Sequence, residues 1–204
     1  MPVPGSVGWW KAFMTTINGL PAHVLLVHVV VVLIPLSAVL LVLVAVWPSA
    51  RRRLDVLTAV LAVLALIAVP ITTAAGDWLE QRLPRTPLLR VHTHLGDTML
   101  PWAIALALVA VLVLVWSRRL ARHASSGGEP ASVEIREPHQ HQRPGPGRRE
   151  RLTGIAVAVV AVAVAVGSMV TVYRIGDSGA QAAWTGQFSA QPLPHTKVPA
   201  APNR

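Results

Sequence analysis

The chain contains no cysteine. That absence removes disulfides, thiolate metal sites, c-type haem attachment and thiol nucleophiles together. Charge is scarce as well: 13% of the residues are charged, about half the roughly 25% of a soluble domain. Acidic residues are rarer than basic ones, 9 against 18, which leaves a formal charge of +9. A basic excess can point to nucleic acid, yet there is no aromatic-interleaved basic stripe and no nucleic-acid motif, so nucleic-acid binding is set aside. There is no internal repeat. The amino terminus is also poor in signal-peptide features. Lys11 is its only early basic side chain, and the apolar run that follows is too long for a leader, so it reads as a retained span.

What the chain has instead is apolar length, 53% of its residues. A bilayer-spanning helix needs about 20 mostly apolar residues, and four runs meet that need. The first extends from Leu20 to Val46, ended by Pro48 and Arg51-Arg52-Arg53. The second extends from Leu54 to Ala75, with a kink expected at Pro70 and an amphipathic extension Gly76-Asp77-Trp78-Leu79-Glu80. The third runs from Leu88 to Trp116 as one helix, started by Pro87 where the missing N–H costs nothing. The fourth, from Leu152 to about Tyr173, is almost wholly valine and alanine. Its alternation would suggest a strand in water, but a lone strand in lipid leaves its backbone groups unpaired, so a helix is expected. Gly154 and Ala158, and Ala163 and Gly167, are small pairs that let helices approach closely.

The expected fold is therefore all-α, an integral membrane four-helix bundle in a lipid bilayer. Its parts are an extracytoplasmic or interfacial segment at 1–19, three spans within 20–116, a disordered basic cytoplasmic loop at 117–151, a fourth span at 152–173 and an extracytoplasmic tail at 174–204. Pro192, Pro194, Pro199 and Pro202 make the end of that tail disordered. Gly176-Asp177-Ser178-Gly179 reads as a turn that ends the fourth helix. Arginine is densest between spans one and two and between spans three and four, which places those loops in the cytoplasm and both termini outside. All seven tryptophans fall near an expected interface.

Ionisable residues from four pieces of chain converge on the outer side: His23 and His28, Asp77 and Glu80, His92, His94 and Asp97, and Asp177. His28 lies roughly 12 Å along its helix and His94 roughly 10 Å beyond Pro87, at 1.5 Å per residue. These depths match. His23 and His28 are five residues apart, about 140° around a helix, and His92 and His94 fall on nearly opposite sides. At most one histidine of each pair can face the bundle interior, and the expected pair is His28 with His94, leaving His23 and His92 nearer the interface. Two facing histidines suit axial ligation of a b-type haem. With Asp77, Glu80 or Asp97 added they suit a divalent metal ion, and Asp97 one turn from His94 suits an orienting partner. A role without ligand is also open: histidines bond across helices and fix packing by roughly 0.6–2 kcal/mol. His123, His139, His141 and His195 read as solvated bystanders. Neither Ser168 nor Ser178 has the setting of a catalytic nucleophile, and hydrolase activity is not expected.

Gly19-Leu20-Pro21-Ala22-His23 followed by Val27-His28, then Gly76-Asp77-Trp78-Leu79-Glu80, then His92, His94 and Leu95-Gly96-Asp97, and finally Gly176-Asp177-Ser178-Gly179-Ala180 with Trp184, occur in that order. In these motifs the chain resembles a family of uncharacterised bacterial membrane proteins, a transmembrane domain of unknown function. It departs from that pattern at Val24, where the family often has proline, and at Asp177, where it often has histidine. The resemblance implies four spans and an outer-face cluster in a bacterial plasma membrane, and no established activity. Three roles follow as expectations: a haem- or metal-binding redox protein, a non-enzymatic accessory subunit of a membrane complex, or a small proton or solute transporter.

Overall fold

A computed structural model describes residues 16–126, 148–189 and 191. A two-residue hairpin opens it, β1 (Thr16–Ile17) paired antiparallel with β2 (Leu20–Pro21). Asn18 and Gly19 form its turn at φ 50° and 79°, the left-handed pair that a tight hairpin of this twist requires. Five helices follow: α1 (Ala22–Val46), α2 (Pro48–Glu80), α3 (Pro87–Asp97), α4 (Met99–Ser126) and α5 (Arg148–Trp184). Four stretches, Ala22–Val46, Pro48–Glu80, Pro87–Arg119 and Arg151–Trp184, are long and apolar enough to cross a membrane.

The packing is a ring. α1 lies against α2 and α5, α2 against α4, and α5 against both α3 and α4. The inward residues recur at alternating steps of three and four: Ile34, Ala38, Leu41 and Ala45 on α1, and Ala62, Ala65 and Val69 on α2. Met99, Ala103, Leu106, Ala110 and Val113 do the same on α4, as do Ala161, Ala165 and Ser168 on α5. That is the seven-residue period of a left-handed bundle, and its many alanines draw the backbones close. The outward faces are apolar too, with Val32, Leu112 and Val159 exposed to 62%, 65% and 63%. Such a surface belongs in lipid.

The helices depart from the sequence expectation at their ends. α1 and α2 are joined by Trp47 alone, in an extended conformation, because Pro48 starts α2 in its first position. Arg51-Arg52-Arg53 is therefore helical. The Arg51 guanidinium folds back to donate to the Val44 and Ala45 carbonyls at 2.8 and 2.7 Å, and lies over the Trp116 ring at 4.6 Å. It thus satisfies the open carbonyl end of α1. The third span is interrupted. Pro101 has no N–H for the Asp97 carbonyl and its ring crowds that turn, so α3 ends at Asp97 and α4 begins at Met99. Thr98 closes the break, its N–H and hydroxyl both donating to the Leu95 carbonyl at 3.0 and 2.6 Å. α4 continues to Ser126 through arginine, leucine and alanine, good helix formers. The remainder of the expected loop, 127–147, and the end of the expected tail, 190 and 192–204, lie outside the described residues.

At this arginine-rich end Asp55 of α2 is buried against α4, where it accepts a 2.5 Å hydrogen bond from Ser117. Arg118 reaches the same carboxylate at 3.8 Å.

Candidate functional site

At the opposite end of the bundle two imidazoles meet. His23 is in the first turn of α1, directly after the Asn18-Gly19 hairpin. Its Nδ1 lies 2.9 Å from the Thr72 carbonyl of α2. A carbonyl can only accept, so Nδ1 donates its proton there, and Nε2 is the ring nitrogen left for another partner. The ring rests on Gly76, where a Cβ would come within 3.0 Å of His23 Cε1. α3 supplies the second imidazole. Thr86 caps that helix by accepting from the Leu89 N–H at 3.2 Å, and Pro87 starts it. His92 Nδ1 lies 3.2 Å from both the Ile175 carbonyl and the Ser178 hydroxyl of α5. Ser178 itself donates to Ile175 at 2.9 Å, so its oxygen accepts from His92.

The two rings stand edge to face, their centroids 6.4 Å apart and their planes at 77°. α1 and α3 sit diagonally across the ring of helices, so the pair occupies the middle of the bundle, and all four spans contribute. Both Nδ1 atoms are committed to carbonyls. That arrangement fixes tautomer and ring orientation in ligating histidines.

One histidine of each pair faces inward, as the helical spacing requires, but the pair brought together is His23 and His92 rather than His28 and His94. The reason is the packing stripe. His23, Val27, Val30 and Ile34 continue the inward face of α1 by steps of four, three and four, whereas His28 falls between them. His28 is exposed, and its Nδ1 donates to the Val24 carbonyl of the preceding turn at 2.6 Å. His94 and Asp97 are exposed on α3, Asp77 is exposed on α2, and Glu80 is half-buried. Asp177, also exposed, accepts from Gln181 at 3.0 Å. Among the described residues no group of three or more His, Cys, Asp or Glu side chains is placed to hold a metal ion. His139, His141 and His195 lie outside the described residues.

The run Gly176-Asp177-Ser178-Gly179 is helical rather than a turn. Its small residues serve contact instead of termination: Ile175 and Ser178 bond His92, and Gly179 leaves room for the ring, since a Cβ there would lie 2.9 Å from His92 Cε1. Gly176, one turn away, has nothing within 4 Å of its would-be Cβ. The two glycines give opposite expectations. Gly176→Ala should stabilise the helix by up to about 1 kcal/mol through propensity alone. Gly179→Ala takes the same propensity gain but should lose about 1–3 kcal/mol by pushing His92 off its carbonyl, a net loss of up to about 2 kcal/mol. Thermal unfolding of both variants in the same detergent checks the sign, and equal shifts would show that His92 does not rest on Gly179.

Sequence reasoning overlooked Thr72, Gly76, Ile175, Ser178 and Gly179 as partners of the histidines. The signal was present: each lies on, or next to, the inward stripe of its helix extended past the apolar core. Comparison of the chain with protein-family models, with curated proteins and with solved structures finds no match.

Proposed function

We propose that this is a multi-pass protein of a bacterial plasma membrane that holds a b-type haem iron, or another first-row metal ion, between His23 and His92, and that it serves membrane redox chemistry. The observation that carries this reading is the paired anchoring of the imidazoles. Each Nδ1–H is spent on a backbone carbonyl, which leaves each Nε2 as a donor to a metal. A single ion bound by two imidazole nitrogens at about 2.0–2.1 Å allows the ring centroids to stand at most about 6.4 Å apart, and the observed separation is 6.4 Å. With only two imidazoles in the pair, haem is favoured over a bare ion, because the porphyrin supplies the other four nitrogens.

A visible spectrum of the detergent-purified protein, oxidised and reduced, with metal analysis, tests the proposal. The expected result is a Soret band or a stoichiometric metal that is lost in His23→Ala and in His92→Ala and kept in His28→Ala and His94→Ala. A colourless, metal-free protein from cells well supplied with haem and metals would reject it.

That second outcome would favour a non-enzymatic accessory subunit. The same hydrogen bonds support this alternative, since His23 ties α1 to α2 and His92 ties α3 to α5. A proton or solute pathway has less support. Between the polar ends the core is Ile34, Leu41, Val69 and Leu106 among alanines, with Ser37 and Ser168 as buried hydroxyls and no chain of ionisable groups among the described residues.

A further inference from the structure

The arginine-rich end carries a second site. An open groove of about 400 Å³ lies between α2 and α4, lined by Val56, Leu114, Val115, Arg118, Arg119 and Arg122. On α4 these residues form one stripe. Val115, Arg118, Arg119 and Arg122 follow at steps of three, one and three, and Leu108, Val111 and Leu112 continue the same face in the other direction. The face is exposed throughout: Leu108, Val111, Leu112 and Val115 along the apolar part, and Arg118, Arg119 and Arg122 at its end. An apolar track thus runs along the helix and stops under three guanidinium groups.

We propose that this groove binds an anionic phospholipid, its acyl chain along the track and its phosphodiester among Arg118, Arg119 and Arg122. The inference rests on the four helices crossing a membrane and is independent of the histidine site. Guanidinium groups match phosphate oxygens with paired N–H donors, and a basic pocket between spans at the headgroup level recognises anionic headgroups. The shape of the lining selects a lipid over a soluble phosphate. Val56, Leu114 and Val115 offer apolar surface to a chain and nothing to a small anion. Asp55 lies close by, at 3.8 Å from Arg118, and holds that side chain at the α2–α4 seam.

Native mass spectrometry of the full chain in detergent, titrated with phosphatidylglycerol or with phosphatidylcholine of matched acyl chains, tests the assignment. One phosphatidylglycerol per chain should be retained at least about tenfold more strongly than phosphatidylcholine. The double variant Arg119→Gln/Arg122→Gln, which leaves Arg118 on Asp55, should lose about tenfold of that retention while circular dichroism shows unchanged helicity. Inorganic phosphate at millimolar concentration should not displace the lipid. Equal retention of the two lipids, displacement by inorganic phosphate, or undiminished binding in the folded double variant would each overturn it. Should the glutamine variant fail to fold, the comparison of the two lipids on the unaltered chain still decides.

Discussion

Replacing Gly167 with alanine is expected to destabilise the bundle by about 2–3 kcal/mol, the cost of forcing atoms into a filled interior. The six-membered ring of Trp102 on α4 packs against α5 at this point. A Cβ on residue 167 would fall 2.1 Å from Trp102 Cη2 and Cζ3 and 2.7 Å from Cζ2. Three such contacts cannot coexist with a Cβ, so the indole or the helices must move. Either α4 and α5 part or the indole swings out and leaves a void. The loss should appear in unfolding by SDS titration from mild detergent micelles. Trp102→Leu should partly rescue it, with a coupling of about 0.5–3 kcal/mol between the two sites. Additive losses would mean that the indole does not sit on Gly167. Gly154 offers the contrast, since nothing lies within 4 Å of its would-be Cβ.

Asp55 is the second sensitive position, and the question is which of its partners matters. The carboxylate is 7% exposed. It accepts from Ser117 at 2.5 Å and from the Val56 N–H at 2.8 Å, while Arg118 stands 3.8 Å away with its side chain 57% exposed. A short hydrogen bond to a charged acceptor contributes about 1.5–3 kcal/mol, and an ion pair with so exposed a partner about 0–1 kcal/mol. Asp55→Ala should therefore cost about 1.5–2 kcal/mol. The lower half of the range applies because Ser117 can fall back on the Leu114 carbonyl at 2.9 Å. Arg118→Gln should cost less than about 1 kcal/mol. A loss for Arg118→Gln as large as that for Asp55→Ala in the same SDS titration would overturn this ranking and make the ion pair the stabilising contact.

The span count and the all-α class were legible in the sequence because apolar length is a property of each segment by itself. Helix ends were less so. Arg51-Arg52-Arg53 looks like a loop by charge, yet the helix runs through it because Pro48 starts α2 and Arg51 finds the end of α1. The turn at Gly176–Gly179 was misread for a related reason: glycine and serine mark turns in isolation, whereas here they are the surface on which His92 rests. Trp102 stands near an interface by sequence position, and the fold packs it half-buried against Gly167. The choice between His23 and His28, and between His92 and His94, depended on the rotation of each helix about its axis. Local spacing excludes pairing both members of a couple but does not choose between them. The buried stripe does, and it is fixed only when the neighbouring helices are in place.

That stripe has a consequence along the bundle axis. A core in which alanine recurs at seven-residue spacing discriminates weakly, by its alanines alone, between one repeat and the next. Here the stripe is marked at both ends. On α2 it runs from Asp55 through Thr58, Ala62, Ala65 and Val69 to Thr72 and Gly76, and polar partners on the other helices meet it at each terminus. Displacing α2 by one repeat, about 10.5 Å, would bring Asp55 against the apolar middle of α4 and strip His23 of its carbonyl. Burying an unpaired carboxylate costs several kcal/mol, so the two polar ends act as axial stops that, together with the Trp102–Gly167 contact, hold the interior in a single vertical alignment.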